Sequence, residues 1–253
     1  MALIWQNLTH HWISTTAFAG SYASIVVIYI LISITLSFLK LPNTVETIKE
    51  EAVETRPLTV IASQPKFIIG LTCGMLGYGV MSFIMTATPL AMHNNHSFSD
   101  TAFVIQWHTL CMFAPSFFTE HLIRRFGIYN IMLVGALLGV RCVAVNLNGT
   151  SVPHYWVALA LLGISWNFLF IAATTLITET YHAAERSKTQ ALNDFIIFST
   201  VALSSLSAGA LQHNFNWQIV NLGAIPLLAI ILTSIIWAKI KLTNTVYCSY
   251  HND

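Results

Sequence analysis

Charge is scarce in this sequence. Asp, Glu, Lys and Arg make up 8% of its 253 residues, against about 25% in an ordinary soluble domain. With 55% hydrophobic residues and a mean hydropathy of +0.67, the composition is that of an integral membrane protein. The formal net charge of +1 provides no basic field for nucleic acid. The four cysteines (Cys73, Cys111, Cys142 and Cys248) lack CxxC spacing. Three of them lie in apolar stretches, where a cysteine is ordinarily a small core residue. There is no HExxH motif, no phosphate-binding glycine loop and no nucleophile–base arrangement. The sequence therefore reads as a non-enzyme with no permanently bound cofactor.

What is present is a series of long apolar runs. Seven segments, at approximately 17–38, 67–91, 101–122, 128–147, 155–178, 191–211 and 218–238, are long enough to span a hydrocarbon core of about 30 Å. The predicted fold is an all-α membrane protein with seven transmembrane helices, and the lipid bilayer is its first partner. Short polar stretches separate the segments, except for KLPNTVETIKEEAVETRPLTVIASQPK at 40–66, which reads as a solvated loop joining two bundles.

The basic residues set an expected orientation. Lys40, Lys49, Arg56, Lys66, Arg124, Arg125, Arg186, Lys188, Lys239 and Lys241 fall on one side, and the loops HNNHSFSD, LNGTSVPH and QHNFN have no Lys or Arg. The positive-inside rule makes the basic side cytoplasmic. Arg141, near the outer end of the fourth segment, is long enough to snorkel. The C-terminus is then cytoplasmic and the N-terminus periplasmic, in a bacterial inner membrane. The first helix must run inward, yet only MALIWQNLTHHWIS precedes it, without a basic n-region or cleavage site. The expectation is a chain that begins partway through a larger protein. On that reading 1–38 is one helix left from a first bundle and 39–66 is the central cytoplasmic loop. Residues 67–238 form a complete six-helix bundle, and 239–253 a cytoplasmic tail.

Two ligand-type motifs occupy successive segments. The first is Met81-x-x-x-Met85 and the second His108-x-x-x-Met112. A four-residue step places both members of a pair on one helix face. Thioether and imidazole suit soft copper. With ~1.5 Å of rise per residue, Met85 and Met81 lie ~8 and ~14 Å from the outer end, and His108 and Met112 ~12 and ~18 Å. The four interleave along the membrane normal, although a methionine stripe is equally a flexible core filler. His93 and His96 in the outer loop are candidate ligands at the mouth, with Met75, Met92 and Cys111 as auxiliaries. Gln106, Trp107, Trp166 and Asn167 sit at membrane depth as candidate cavity lining or structural hydrogen-bonding groups. Gly70, Gly74, Gly77, Gly79, Gly135 and Gly139 read as close helix packing. Pro89 and Pro115 are candidate kinks. Glu120, Glu179, Arg186 and Asp194 are candidate gating or charge-pairing residues at cytoplasmic helix ends.

These features resemble the second half of a major facilitator superfamily transporter, covering helices six to twelve. FFTEHLIRRFG resembles the basic turn between the second and third helices of a facilitator half. MxxxM followed by HxxxM, with WNFLFIAATTLITETYHAAERSKTQALNDF and TVALSSLSAGAL, resembles the CcoA-like bacterial copper importers. That resemblance implies a multi-pass importer with copper as its cargo and Met81, Met85, His108 and Met112 as its pathway. It also implies a missing N-terminal bundle, or self-association in its place. Related members resemble riboflavin importers. The first rival reading is thus a small-organic-solute importer whose Trp107, Trp166, Phe168 and Phe170 stack the cargo. The second is a half-bundle that does not transport, as an assembly subunit or a gene remnant.

Overall fold

The computed structural model describes residues 19–39, 55–93 and 95–250, the side chains of 19–21 and 242–250 aside. Residues 1–18, 40–54 and 251–253, with Lys40, Lys49 and most of the expected central loop, lie outside the described residues. Cys248 lies among the undescribed side chains. The chain divides into two units, Met1–Glu54 and Thr55–Asp253, and every regular element described in either is helical.

The first unit contributes α1, Ala19–Ser37. Its Ser33 and Thr35 hydroxyls donate to the carbonyls of Tyr29 and Leu31, each at 2.8 Å. Such back-bonding satisfies a hydroxyl where no water is available.

The second unit begins with the short α2 (Leu58–Ala62), followed by α3 (Pro65–Met92), α4 (Phe98–Phe113) and α5 (Ser116–Phe126). After these come α6 (Ile128–Asn148), α7 (Val152–Thr178), a one-turn 3-10 helix (Ala183–Glu185), α8 (Arg186–Asn214) and α9 (Trp217–Tyr250). Five helices, α3 and α6 to α9, are long and apolar enough to cross a membrane. The apolar part of α1 is shorter, at Tyr22–Ser37.

The expected span at 101–122 is not one helix. It breaks into α4 and α5 at Ala114–Pro115. Proline has no backbone N–H and its ring opposes the carbonyl four residues earlier, so the ladder stops there. Pro89, by contrast, lies inside α3 without ending it. The α4 start is fixed by a capping box, in which Asp100 N–H donates to Ser97 Oγ at 3.1 Å and Ser97 N–H to Asp100 Oδ2 at 3.2 Å. At the other end α5 stops at Gly127, whose φ of 84° is a left-handed value that suits glycine.

Packing centres on α7, which lies against α3, α4 and α6. In turn α3 also packs on α8 and α9, and α9 on α6. Lipid supplies no hydrophobic drive between helices, so close approach by small residues matters more. A Cβ on Gly70 would stand 2.7 Å from Ile177 Cγ1. Gly163 was not among the expected packing glycines, yet its contact is with backbone. A Cβ there would stand 2.7 Å from the His108 carbonyl oxygen and 2.9 Å from Met112 N. Thus α4 and α7 meet main chain to main chain near the middle of α7.

Candidate functional site

Met81, Met85 and Met112 pack in or against one hydrophobic core, the two pairs on different helices that both lie against α7. Met81 is buried in the core and Met85 packs partly buried against it. Both belong to α3, which packs on α7, α8 and α9. His108 and Met112 belong to α4, whose main partner is α7. The two motif helices share no substantial interface, so the pairs do not face one another across a common one. His108 is buried, and its Nδ1 donates to the Leu159 carbonyl at 2.8 Å. A carbonyl only accepts, so this bond places the proton on Nδ1 and leaves Nε2 a buried lone pair without a partner. Met112 is half-buried, and Met92 is fully buried.

His93, an expected outer-mouth ligand, caps the C-terminus of α3 and is exposed. His96 is taken up in structure. Its Nε2 lies 2.7 Å from the Thr150 carbonyl, and its ring sits edge-on to Tyr155 at 5.8 Å. Among the described residues no group of three His, Cys, Asp or Glu side chains stands where it could hold a metal ion.

The candidate lining residues also separate. Asn167 is fully buried and belongs to the helix break rather than to an open cavity. Its Nδ2 donates to the Met112 carbonyl at 2.8 Å and to Ser116 Oγ at 2.6 Å. Its Oδ1 accepts from Thr119 Oγ1 at 2.6 Å. The side chain therefore spans the Pro115 break and occupies a carbonyl on its α4 side. Gln106 is half-buried with its Nε2 unpartnered. Trp107 forms a peripheral cluster with Phe103 and Trp156, at ring separations of 6.2 and 5.7 Å.

Trp166 anchors a second, deeper aromatic group. It stacks on Phe170 at 5.0 Å with 10° between planes. Tyr78 of α3 meets both rings edge-on, at 5.3 and 5.5 Å. Phe113 of α4 and Phe198 of α8 complete the group, at 6.2 Å from Trp166 and 6.3 Å from Tyr78. One helical turn beyond Tyr78 on α3, Ser82 Oγ lies 2.7 Å from Ser205 Oγ of α8, and Thr86 Oγ1 donates to the same Ser205 at 3.4 Å. Of these residues, sequence reasoning had singled out only Trp166 and Phe170. The i, i+4 spacing of Trp166 and Phe170 was the available signal; Tyr78, Phe198 and the serines are joined to them only by the fold.

The basic end holds a latch that sequence reasoning also missed. Glu185 is almost fully buried and receives Arg56 through Nε at 3.0 Å, Nη2 at 2.7 Å and backbone N–H at 2.8 Å. Arg56 Nη2 also donates to the Thr180 carbonyl at 3.1 Å, and Lys188 Nζ to the Arg56 carbonyl. The bidentate guanidinium, helped by the His182 N–H, holds the Glu185 carboxyl well below the usual carboxylate range. Of the expected end charges, Glu179 pairs with Lys66 at 2.8 Å and Glu120 with Arg124, both exposed. Asp194 accepts from Asn193 at 3.1 Å. Arg186 is exposed at the start of α8.

This chain is 41% identical over 235 residues to the riboflavin transporter RfnT of Brucella anthropi, covering 92% of the chain and 58% of that protein. It is homologous to MFS-type transporters. Over 212 residues it is 31% identical to the uncharacterized MFS-type transporter YdeG of Bacillus subtilis, covering 79% of the chain and 48% of that protein. A second uncharacterized MFS-type transporter of the same bacterium, YddS, is 29% identical over 173 residues, covering 67% of the chain and 40% of its own length. These relatives support placement in the major facilitator superfamily, and with the apolar helices they support a multi-pass membrane protein. The chain spans about half the length of the curated relatives it matches. No family model matches the chain, and no solved structure matches it.

Proposed function

We propose that this chain serves in the uptake of a small neutral organic solute of the riboflavin type, as one bundle of a facilitator. The observation that carries the reading is the 41% identity, over 92% of the chain, to a protein named as a riboflavin transporter. Two features of the chain agree with it. The deep aromatic group on α3, α4, α7 and α8 offers stacking surfaces to a planar cargo. The stretches 67–99, 142–178 and 195–238 contain no Asp, Glu, Lys or Arg, which suits an uncharged solute.

Copper remains the second reading, motivated by Met81, Met85, His108 and Met112. It is less well supported, because those residues lie on two helices without a substantial common interface. The bundle is proposed to work beside a second helical bundle, with the basic end in the cytoplasm of a bacterial cell. Facilitators place their site between two bundles, and the matched stretches make up 40–58% of the relatives' length.

The test is growth of cells that cannot make riboflavin. Expressing the chain, with a complementary bundle where needed, should permit growth on limiting riboflavin. Copper-dependent rescue of a copper-starved strain, without flavin rescue, would favour the second reading.

A further inference from the structure

The deep aromatic group and the hydroxyls beside it form one continuous feature. Tyr78 and Ser82 are one turn apart on α3, about 6 Å along the axis. Phe198 and Ser205 are seven residues apart, on one face of α8. The Tyr78–Phe198 ring contact and the Ser82–Ser205 contact therefore join the same two helices at successive levels. The lower level is aromatic. The upper one carries three hydroxyls, those of Ser82 and Thr86 both reaching Ser205. The face is not closed over, since Phe113 and Phe198 are 56% and 58% exposed. Trp166 also brings a buried indole N–H that has no acceptor.

Resting on the organic-solute reading above, we propose that this face is a two-part slot. Tyr78, Trp166 and Phe170 take a planar fused-ring head, and Ser82, Thr86 and Ser205 take a hydroxylated side arm. Aromatic faces bind a flat ring system through offset and edge contacts. The three hydroxyls each donate and accept, which matches an arm whose own groups are hydroxyls rather than charges. A ring carbonyl at the edge of the slot would give the Trp166 N–H its missing acceptor. The cargo class is then a neutral ring compound with a polyol arm, more specific than a generic aromatic solute.

The two parts are separable by ligand. Riboflavin carries ring and polyol arm, and lumiflavin carries the same ring with a methyl group in place of the arm. Binding is read from quenching of flavin fluorescence by the 253-residue chain purified in detergent, with helicity and elution volume checking each variant. Replacing hydroxyls by the Ser82→Ala, Ser205→Ala pair should weaken riboflavin roughly tenfold, the scale of one or two hydrogen bonds, and leave lumiflavin unchanged. Thr86→Val, which keeps the shape, should act in the same direction. Trp166→Leu with Phe170→Leu should weaken both flavins about tenfold or more. Trp237→Leu, on α9, should change neither. If the wild-type chain binds both flavins and the serine and threonine variants lose nothing, or lose both flavins equally, the slot is wrong and the organic-solute reading stands. If the wild-type chain, tested alone and again beside a complementary bundle, binds neither flavin, the riboflavin-type reading falls and the slot falls with it.

Discussion

Asn167 bridges the break in its neighbouring helix by donating to the Met112 carbonyl across 2.8 Å. Its remaining groups engage Ser116 and Thr119 on the far side of Pro115. One fully buried amide thus ties the end of α4 to the start of α5. Asn167→Leu keeps the volume and takes the amide donor from the Met112 carbonyl, while Thr119 keeps its bond to the Pro115 carbonyl and Ser116 is exposed. The expected loss is about 1–3 kcal/mol, read as a lower unfolding midpoint in detergent. An unchanged midpoint would mean the break needs no brace.

Gly163 and Gly209 make a matched pair. Gly163→Ala drives a methyl group against the α4 main chain, whereas nothing stands within 4 Å of a Cβ on Gly209. Overpacking at Gly163 should cost about 1–3 kcal/mol. Gly209→Ala should be neutral or gain up to about 1 kcal/mol through helix propensity. Thermal unfolding of the two variants side by side gives the comparison, and equal midpoints would contradict it.

The Arg56–Glu185 latch predicts an acid sensitivity. Glu185 sits in the one-turn helix ahead of the apolar stretch of α8. Its folded pKa is depressed by Arg56, so its contribution is complete above the ordinary glutamate value of about 4.3 and declines as pH falls below it. The wild-type midpoint should drop through that acid range. Glu185→Gln should start lower at neutral pH and show a smaller drop. Parallel curves for the two proteins would remove Glu185 as the cause.

The apolar helices were legible because each is long, nearly uncharged and bounded by polar loops, as with Pro65–Met92 and Val152–Thr178. The break at Pro115 was legible only as a candidate kink, since proline inside a membrane segment either bends a helix or ends it; Pro89 and Pro115 do different things here. Met81 and His108 sit on helices adjacent in sequence, yet α4 lies on α7, and α3 on α7, α8 and α9, a packing order that no local pattern carries. Arg56 and Glu185 are 129 residues apart, and no local pattern joins them. Tyr78, Ser82, Phe198 and Ser205 look like ordinary membrane-helix residues until two helices bring them together.

The methionines give a direct contrast between cargoes. Leucine preserves most of a methionine's volume. On the organic-solute account Met81→Leu and Met112→Leu fill the same space and leave solute uptake within about twofold of wild type, since volume-conserving swaps are tolerated. Loss of uptake in well-folded variants would restore a ligand role for sulfur.

Orientation is checked at the exposed Asn95. A cysteine there, in a background without the native ones, should react with a membrane-impermeant thiol reagent in intact cells, because the opposite end carries the basic residues. Reaction only after lysis would reverse the assignment.

The choice of cargo is tested most directly by measuring radiolabelled riboflavin and radioactive copper uptake in the same cells, with the chain expressed beside a complementary bundle. The account predicts riboflavin accumulation above the empty-vector level, reduced by the Trp166→Leu, Phe170→Leu pair, with copper uptake at background. Copper accumulation that Met81→Leu and His108→Gln abolish, with riboflavin at background, would contradict it.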